Sequence, residues 1–444
     1  MDRPLATLGA FAAGLRFDDL PVAVVDHACL VLLDTAAAIC AGAVLPEMQA
    51  LARWQVQQGN GAALQALTLA SCGVVHELDE GFAPARGHPA IHVIPAALTE
   101  AAARRASGKD LITAIVVGYE VAARVGAAVK LRPGMHPHGT WGGLGAAAAV
   151  AHLRGYPAEV VTAALDLAAC MPIATSYQAV RDGSPVRHAW AGLANFTGSL
   201  AAALAGAPFP APATGAMASL SGVVGTEFSA ATAVEALGSR WDILRGYFKM
   251  HACCRHGHAT LDAIDLALAD TRPSPAQVAS VRVRTYADAV SAMTPTIPVT
   301  TVLAAKFSMP FMVALRLVRG ATDPALFTPG IALDPELVDF ATKVRFEEDP
   351  ELTQRGRERR GARVEIALAD GSILKGEVEH SRGDPTLPFG RDDIVAKYRR
   401  LTTSTLGATQ SARLETLITG LPTLEDCSPV LQALSVPAGA EAIP

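Results

Sequence analysis

The chain changes texture near its middle, and that change limits what it can fold into. Before residue 248 alanine, leucine, valine and glycine dominate, and apolar positions recur at helical spacing. Helices are expected at 22–43, 47–58 and 62–72, and at 111–129 with Asp110 at the N-cap. Further helices are expected at 144–153, from Pro157 (whose fixed φ suits a first turn) to about Cys170, and at 186–206. No strand is expected in this half. Beyond the middle, Val281-Arg282-Val283-Arg284-Thr285 and Arg363-Val364-Glu365-Ile366-Ala367-Leu368 alternate with period two, and Asp370-Gly371 marks a hairpin turn into 373–378. A shorter strand is expected at 344–346, with helices near 303–319 and 335–343, and helix returns from Arg391 to about 420. The expected fold is mainly α. A large all-helical domain comprises residues 1–246, with 391–444 packed back on it. A smaller α+β lid domain covers 247–390, and a cleft between the two is the natural place for an active site.

Composition narrows the function classes. Of 444 residues, 50% are hydrophobic and 18% charged, which is ample material for a large core. The net charge is −5 and no long basic run occurs, so nucleic acid is not an expected partner. The start, Met1-Asp2-Arg3-Pro4, lacks a signal-peptide pattern, and every long apolar run is interrupted by Gly, Pro or charge, so no membrane is expected either. Seven cysteines (Cys29, Cys40, Cys72, Cys170, Cys253, Cys254 and Cys427) are an odd number in mostly apolar surroundings. They fit a reduced, cytoplasmic protein better than a disulfide framework.

At the joint between the two textures lies Phe248-Lys249-Met250-His251-Ala252-Cys253-Cys254-Arg255-His256-Gly257-His258. Such a concentration of titratable groups costs folding free energy unless it is solvated, paired or used. Lys249 is a candidate base, or a cation that holds a carboxylate; His256 and His258 are candidate acid/base groups or ligands. His251, Cys253, Cys254, His256 and His258 are also metal-ligand types, but no partner Cys-x-x-Cys or spaced histidine pair completes a zinc pattern, so no metal is expected. The loop at 76–92 adds Asp79, Glu80, Arg86 and His88: carboxylates to orient a histidine or accept a proton, and a guanidinium to fork onto a carboxylate. His136-Pro137-His138-Gly139-Thr140-Trp141-Gly142-Gly143 opens the 144–153 helix, where free N–H groups favour an anion. Arg181 and Arg187 bring cations to the start of the 186–206 helix.

No Gly-x-Ser-x-Gly elbow, phosphate-binding Gly-x-x-x-x-Gly-Lys-Ser/Thr loop or dinucleotide fingerprint is present, so nucleotide cofactors are not implied. Histidines, arginines and carboxylates on three loops, together with the central knot, suit abstraction of a proton next to a carboxylate. That reaction needs a base and fixed positive groups aimed at the developing oxyanions.

Six stretches, in order, give a resemblance. They are Leu33-Asp34-Thr35 with Gly42; Leu78-Asp79-Glu80 with His88-Pro89; Gly118-Tyr119-Glu120; Gly134-Met135-His136-Pro137 with Thr140 and Gly142; Lys249 with Cys253 and His258; and Ala305-Lys306-Phe307-Ser308-Met309-Pro310-Phe311. The chain resembles the MmgE/PrpD family, which includes 2-methylcitrate dehydratase, cis-aconitate decarboxylase and iminodisuccinate epimerase. The resemblance covers nearly the whole length. It implies a helical domain with a smaller lid, no cofactor, a homodimer, and a site lined by Asp79, His88, His136 and Lys249. The chain departs from the pattern in four places. Glu80 replaces a second aspartate, Arg187 stands where many members have lysine, Cys254 occupies the position of the decarboxylase's histidine, and Leu131 and Arg132 occupy the region of the epimerase's tyrosine. The expected activity is therefore a hydro-lyase of the 2-methylcitrate dehydratase kind, acting on a small di- or tricarboxylic acid. Lys249 or His136 would take the proton, and His88, held by Asp79, would act as the acid. Arg86, Arg187 and Arg255 would bind carboxylates, and His138, Thr140, His256 and His258 would contact substrate. The alternatives are an epimerase or isomerase of a small dicarboxylate, and a non-catalytic metabolite- or metal-binding protein on the same fold.

Overall fold

Small residues let helices approach closely, and the first half of the chain is built on that. In the computed structural model, which describes residues 3–434 apart from 208, 213, 270, 296–297 and 357–358, the helices are α1 (Pro4–Gly14), α2 (Val22–Ala43), α3 (Pro46–Gln57), α4 (Ala62–Val74), α5 (Pro89–Arg104), α6 (Gly108–Ala128), α7 (Gly142–Leu153), α8 (Ala158–Ala169) and α9 (Val186–Ala205). Helix α7 lies at the centre, against α5, α6, α8 and α9. A Cβ on Gly118 of α6 would stand 2.8 Å from the Gly145 carbonyl of α7, so glycine sets that crossing distance. Helices α2 and α6 are long and apolar enough to cross a membrane by length and composition, but both are largely buried among their neighbours.

Helix α5 carries Pro95 in its interior. The carbonyl of Ile91, which loses its partner there, accepts instead from Asn195 Nδ2 of α9 at 2.9 Å, and Asn195 Oδ1 accepts the Ala96 N–H at 3.0 Å. One side chain thus splints the proline break and fixes the turn of α5 that presents His92.

In the second half a four-stranded sheet has the order β4-β3-β5-β6, formed by β3 (Val278–Thr285), β4 (Val344–Glu348), β5 (Ala362–Leu368) and β6 (Ile373–Val378). Strands β3 and β4 are parallel, and the other pairs are antiparallel. The β5–β6 hairpin turns where expected, with Gly371 at φ 88° and Asp370 Oδ1 accepting the Ser372 N–H at 2.9 Å. Helix α10 (His258–Ala267) packs on β5 and β6, and Gly376 makes room for it: a Cβ there would meet the Ala263 carbonyl at 1.9 Å. The central knot is therefore anchored on the sheet. Helix α11 (Met309–Arg319) lies in the crossover between the parallel strands, and α12 (Arg391–Leu406) and α13 (Ala408–Thr419) follow the sheet.

Local chemistry moves several boundaries. Helix α6 begins at Gly108, not after Asp110, because Ser107 is the N-cap. Its hydroxyl accepts the Asp110 N–H at 3.2 Å and Asp110 Oδ2 accepts the Ser107 N–H at 3.1 Å. Pro157 is itself the N-cap of α8. The helix expected over 303–319 breaks at Phe307-Ser308, since Pro310 excludes continuation and Ser308 caps α11. The last helical stretch breaks at Gly407, with φ 78°. The first half also contains a two-stranded pair, β1 (Val129–Leu131) with β2 (Gly225–Phe228), too short to show a period.

Helix α12 packs on α2, and Lys397 is fully buried there. Its ammonium donates to Asp34 Oδ1 at 2.5 Å and to the Leu78 carbonyl at 2.7 Å. Lys397→Met is expected to cost about 3–5 kcal/mol by leaving a buried carboxylate unpaired, with most of the loss recovered in Lys397→Met/Asp34→Leu. Urea unfolding of the three proteins checks this; a single variant as stable as the parent would contradict it.

Candidate active site

The site begins with the loop that Lys397 holds. After α4 the backbone turns through Glu77, a non-glycine residue at φ 54°. The turn leaves Glu77, Asp79 and Glu80 at about 1% exposure. Two backbone bonds, Gly81 N–H to the Tyr247 carbonyl at 3.0 Å and Tyr247 N–H to the Gly81 carbonyl at 2.7 Å, pair this loop with the central knot. A Cβ on Gly81 would lie 2.4 Å from the Tyr247 ring, so glycine permits the pairing. Lys249, two residues past the bridge, is thereby brought to Asp79.

Asp79 divides its two oxygens between two partners. Oδ1 lies 3.4 Å from Lys249 Nζ, and Oδ2 lies 3.1 Å from His88 Nδ1. Burial alone would raise this carboxyl, but His88, Lys249 and Arg187 outweigh burial and hold it below the usual carboxylate range. Lys249 Nζ also lies 3.8 Å from Glu77 Oε2, and Glu77 Oε1 lies 2.5 Å from Arg187 Nη1. Burial pulls the Lys249 ammonium down, yet Asp79 and Glu77 more than compensate and raise it. Lys249 is therefore a cation at neutral pH. Its two long contacts leave donor capacity for an anion.

The histidines have defined tautomers, because each faces a partner of fixed character. His88 Nδ1 lies 2.7 Å from the Glu80 carbonyl as well as beside Asp79; both accept, so Nδ1 carries the proton and Nε2 is a free lone pair. Burial lowers His88 to about 4 despite Asp79, so the ring is neutral. A carboxylate-oriented imidazole with its Nε2 open is the arrangement of a general base. Arg187 Nη2 donates to His138 Nε2 at 3.2 Å, which places the His138 proton on Nδ1, 2.9 Å from His92 Nε2. His136 Nδ1 accepts the His138 backbone N–H at 3.1 Å, so His136 offers an Nε2–H donor. The rings of His88 and His136 both stack on His138, at 5.1 and 4.9 Å.

Of the residues expected in the site, the structure gathers Asp79, His88, His136, His138, Arg187 and Lys249. Lys249, raised and doubly paired, stays protonated at neutral pH; His136 has its Nδ1 lone pair occupied and presents a donor; His88 presents an open lone pair at Nε2. The remaining expectations are corrected by position. Arg86 is half exposed at the surface, 3.9 Å from Asp288. The Arg255 guanidinium is spent within the fold: on Asp384 at 2.8 Å, on the Phe248 and Arg382 carbonyls at 3.3 and 3.1 Å, and on His258 Nδ1 at 3.2 Å. His258 is thus a partner of Arg255, and His256 shares a hydrogen bond with the Tyr286 hydroxyl at 2.7 Å. Thr140 donates its hydroxyl to the Pro137 carbonyl at 2.6 Å, and the α7 N-terminus is closed by the His92 ring, 2.4 Å from where a Gly142 Cβ would lie. Glu80 turns away from Asp79, accepting from Tyr119 at 2.5 Å and from the Ala90 N–H at the start of α5 at 3.2 Å.

Sequence reasoning missed Glu77, which pairs Arg187, and His92, which ends the Arg187–His138 chain. It also left Lys306 out of the site. That amine, lowered to about 7 by burial, donates to the Val75 carbonyl at 3.0 Å. A histidine–carboxylate loop written Glu77-Leu78-Asp79 was the available signal for the first. The central knot does not assemble a metal centre, because His251 is turned to Thr322 and Asp262, His256 to Tyr286 and His258 to Arg255. Asp79, His88 and His138 do bring three donor atoms within 4.8 Å of one another. Lys249 beside Asp79 and Arg187 beside His138 place two cations against any metal ion there.

The chain belongs to the MmgE/PrpD family: residues 6–234 match the MmgE/PrpD N-terminal domain and 251–422 the C-terminal domain. It is 27% identical to cis-aconitate decarboxylase of Aspergillus terreus, over 96% of this chain and 95% of the relative. It is 26% identical to the cis-aconitate decarboxylase-like protein oryM of Aspergillus oryzae, over 85% of this chain and 81% of the relative.

Buried histidines give this fold an acid limb. Burial lowers His27 and His88 to about 4 and His92, His188 and His256 to about 3. Unfolded, each binds a proton near 6.5. From pH 6.5 to about 4 the unfolded chain therefore holds more protons, and stability falls as pH falls. Glu80 and Glu120, raised by burial to about 8 and about 7, act in the opposite sense but are outnumbered. Urea unfolding is expected to show a loss of more than about 3 kcal/mol between pH 7 and pH 5. Constant or rising stability over that interval would contradict the neutral, buried assignment.

Proposed function

We propose that this chain is a lyase that moves a proton at the carbon next to a carboxylate of a small di- or tricarboxylic acid. The site lies between the helical domain and the 247–390 lid. The observation that carries the reading is the division of Asp79 between the His88 Nδ1–H and the Lys249 ammonium. It sets a neutral base beside a fixed cation, which is what enolate-forming proton abstraction requires. In the hydro-lyase form, His88 Nε2 takes the carbon-bound proton. Lys249, Arg187 and the His136 Nε2–H hold the carboxylate whose charge grows. The hydroxyl leaves as water with a proton from Lys249, and the alkene forms. Seven free cysteines support a cytoplasmic location, and the family resemblance supports a homodimer.

A second reading, decarboxylation of an unsaturated tricarboxylate, is favoured by the similarity to cis-aconitate decarboxylases along almost the whole chain. Against it stands Cys254, in the position where those enzymes carry histidine. Burial pushes this thiol up to about 11, so at neutral pH it is an uncharged thiol and offers neither the basic nitrogen nor the cation that a histidine can supply.

Proton NMR in D₂O with 2-methylcitrate, citrate, cis-aconitate, malate and iminodisuccinate tests both. A new alkene signal, or hydration of one, is expected. Release of carbon dioxide from cis-aconitate would favour the second reading, and deuterium entering at carbon without alkene change would replace both with an epimerase. On the active substrate, His88→Gln and Asp79→Asn are expected to lower kcat by about 10²–10⁴-fold with smaller effects on KM. The acid limb of kcat/KM is expected near pH 4, where His88 protonates, with activity lost below it. Unchanged turnover in either variant would refute the assignment.

A further inference from the structure

The buried charges of the site nearly balance: Lys249 and Arg187 face Asp79 and Glu77, and Arg255 faces Asp384. Arg360 is not balanced in this way. It is 7% exposed, and among the described residues no carboxylate lies within ion-pair distance of its guanidinium. Its neighbours are aromatic. The guanidinium carbon lies 5.2 Å from the Tyr247 ring centroid, and Tyr286 and Tyr247 are the groups that act on it most strongly. Asp384, a carboxylate that also acts on it, is already taken by Arg255, which covers the same Tyr247 ring at 4.7 Å.

The backbone around Arg360 is held firmly. The next residue, Gly361, gives its carbonyl to Thr285 Oγ1 at 2.8 Å, and a Cβ there would meet the Val378 carbonyl at 2.7 Å. Arg360 thus projects from the rigid start of β5. Tyr247, which it faces, meets the His88 ring edge-on at 6.3 Å. One aromatic ring therefore separates this guanidinium from the proposed base. A buried guanidinium without an anion is costly, and a ligand carboxylate would offset that cost through a forked pair of hydrogen bonds.

We propose that Arg360 is the specificity-determining residue that selects a substrate with a further carboxylate, one beyond the carboxylate held by Lys249 and Arg187. This rests on the polycarboxylate reading of the site. It assigns to Arg360 the work expected of Arg86 and Arg255.

Calorimetric titration with unreactive probes tests it apart from turnover. Tricarballylate carries three carboxylates, and 2-methylsuccinate is the same skeleton without one terminal carboxylate. The wild-type chain is expected to prefer tricarballylate by about 10–100-fold. In Arg360→Ala the preference is expected to fall to within about twofold, while 2-methylsuccinate binds as in the wild type. Arg360→Lys, which keeps the charge without the fork and is the milder change to the fold, is expected to show an intermediate preference. Retention of the full preference in both variants would overturn the proposal. An equal loss for both probes would also overturn it, since that indicates a structural role. Wild-type binding of both probes without preference would overturn it and leave the polycarboxylate reading standing. Wild-type binding of neither would overturn that reading and this proposal together.

Discussion

A carboxylate buried away from water must be neutralised from several sides, and Asp79 is where three parts of this chain meet that requirement. The loop after α4 supplies Asp79 and His88, the central knot supplies Lys249, and α12 holds the preceding carbonyl of Leu78 through Lys397. Lys397 is itself neutralised by Asp34 of α2. These are two linked buried ion pairs, each costly to break and each joining segments far apart in sequence. The helical assembly, the C-terminal helices and the segment leading into the sheet are tied together at the place where the chemistry is proposed. Stability and function draw on the same charges there.

The same constraint divides the labour among the site residues. Two acids close together, Glu77 and Asp79, keep Lys249 protonated, and Lys249 with Arg187 makes a fixed pair of cations. Burial keeps the histidines neutral, and their fixed partners decide which nitrogen carries the proton. In the proposed chemistry Asp79 presents His88 as a base and Lys249 as an acid at once, through opposite oxygens of one carboxylate. The chain Arg187–His138–His92 is oriented from the guanidinium inward, since arginine can only donate.

The fold class was legible because it depends on periodicity: α2, α9 and the β5–β6 hairpin fall within a residue or two of the pattern that announces them. Boundaries set by a single side chain, such as the Ser107 cap or the break at Ser308, were not, since cap and continuation read alike in an apolar stretch. In the site, residue type was legible and role was not. Asp79, His88, His136 and Lys249 stand out as chemistry in an alanine-rich chain. Whether Lys249 is a base or a cation depends on Glu77 and Asp79 lying beside it, a contact across some 170 positions that no spacing reveals. Arg255, in the most conspicuous stretch, turned out to be a strut. Arg360 lies in Arg355-Gly356-Arg357-Glu358-Arg359-Arg360, a run that reads as a solvated charged turn, and only its burial sets it apart.

The central claim is that His88 is a neutral imidazole, protonated on Nδ1 by virtue of Asp79 and open at Nε2. Long-range nitrogen–proton correlation NMR on protein with ¹⁵N-labelled histidine reports both tautomer and titration directly. The expected result is an Nδ1–H, Nε2-unprotonated signal for His88 at pH 7 that titrates near 4 and is lost in His88→Gln. An Nε2–H tautomer, or protonation near 6.5, would contradict the account.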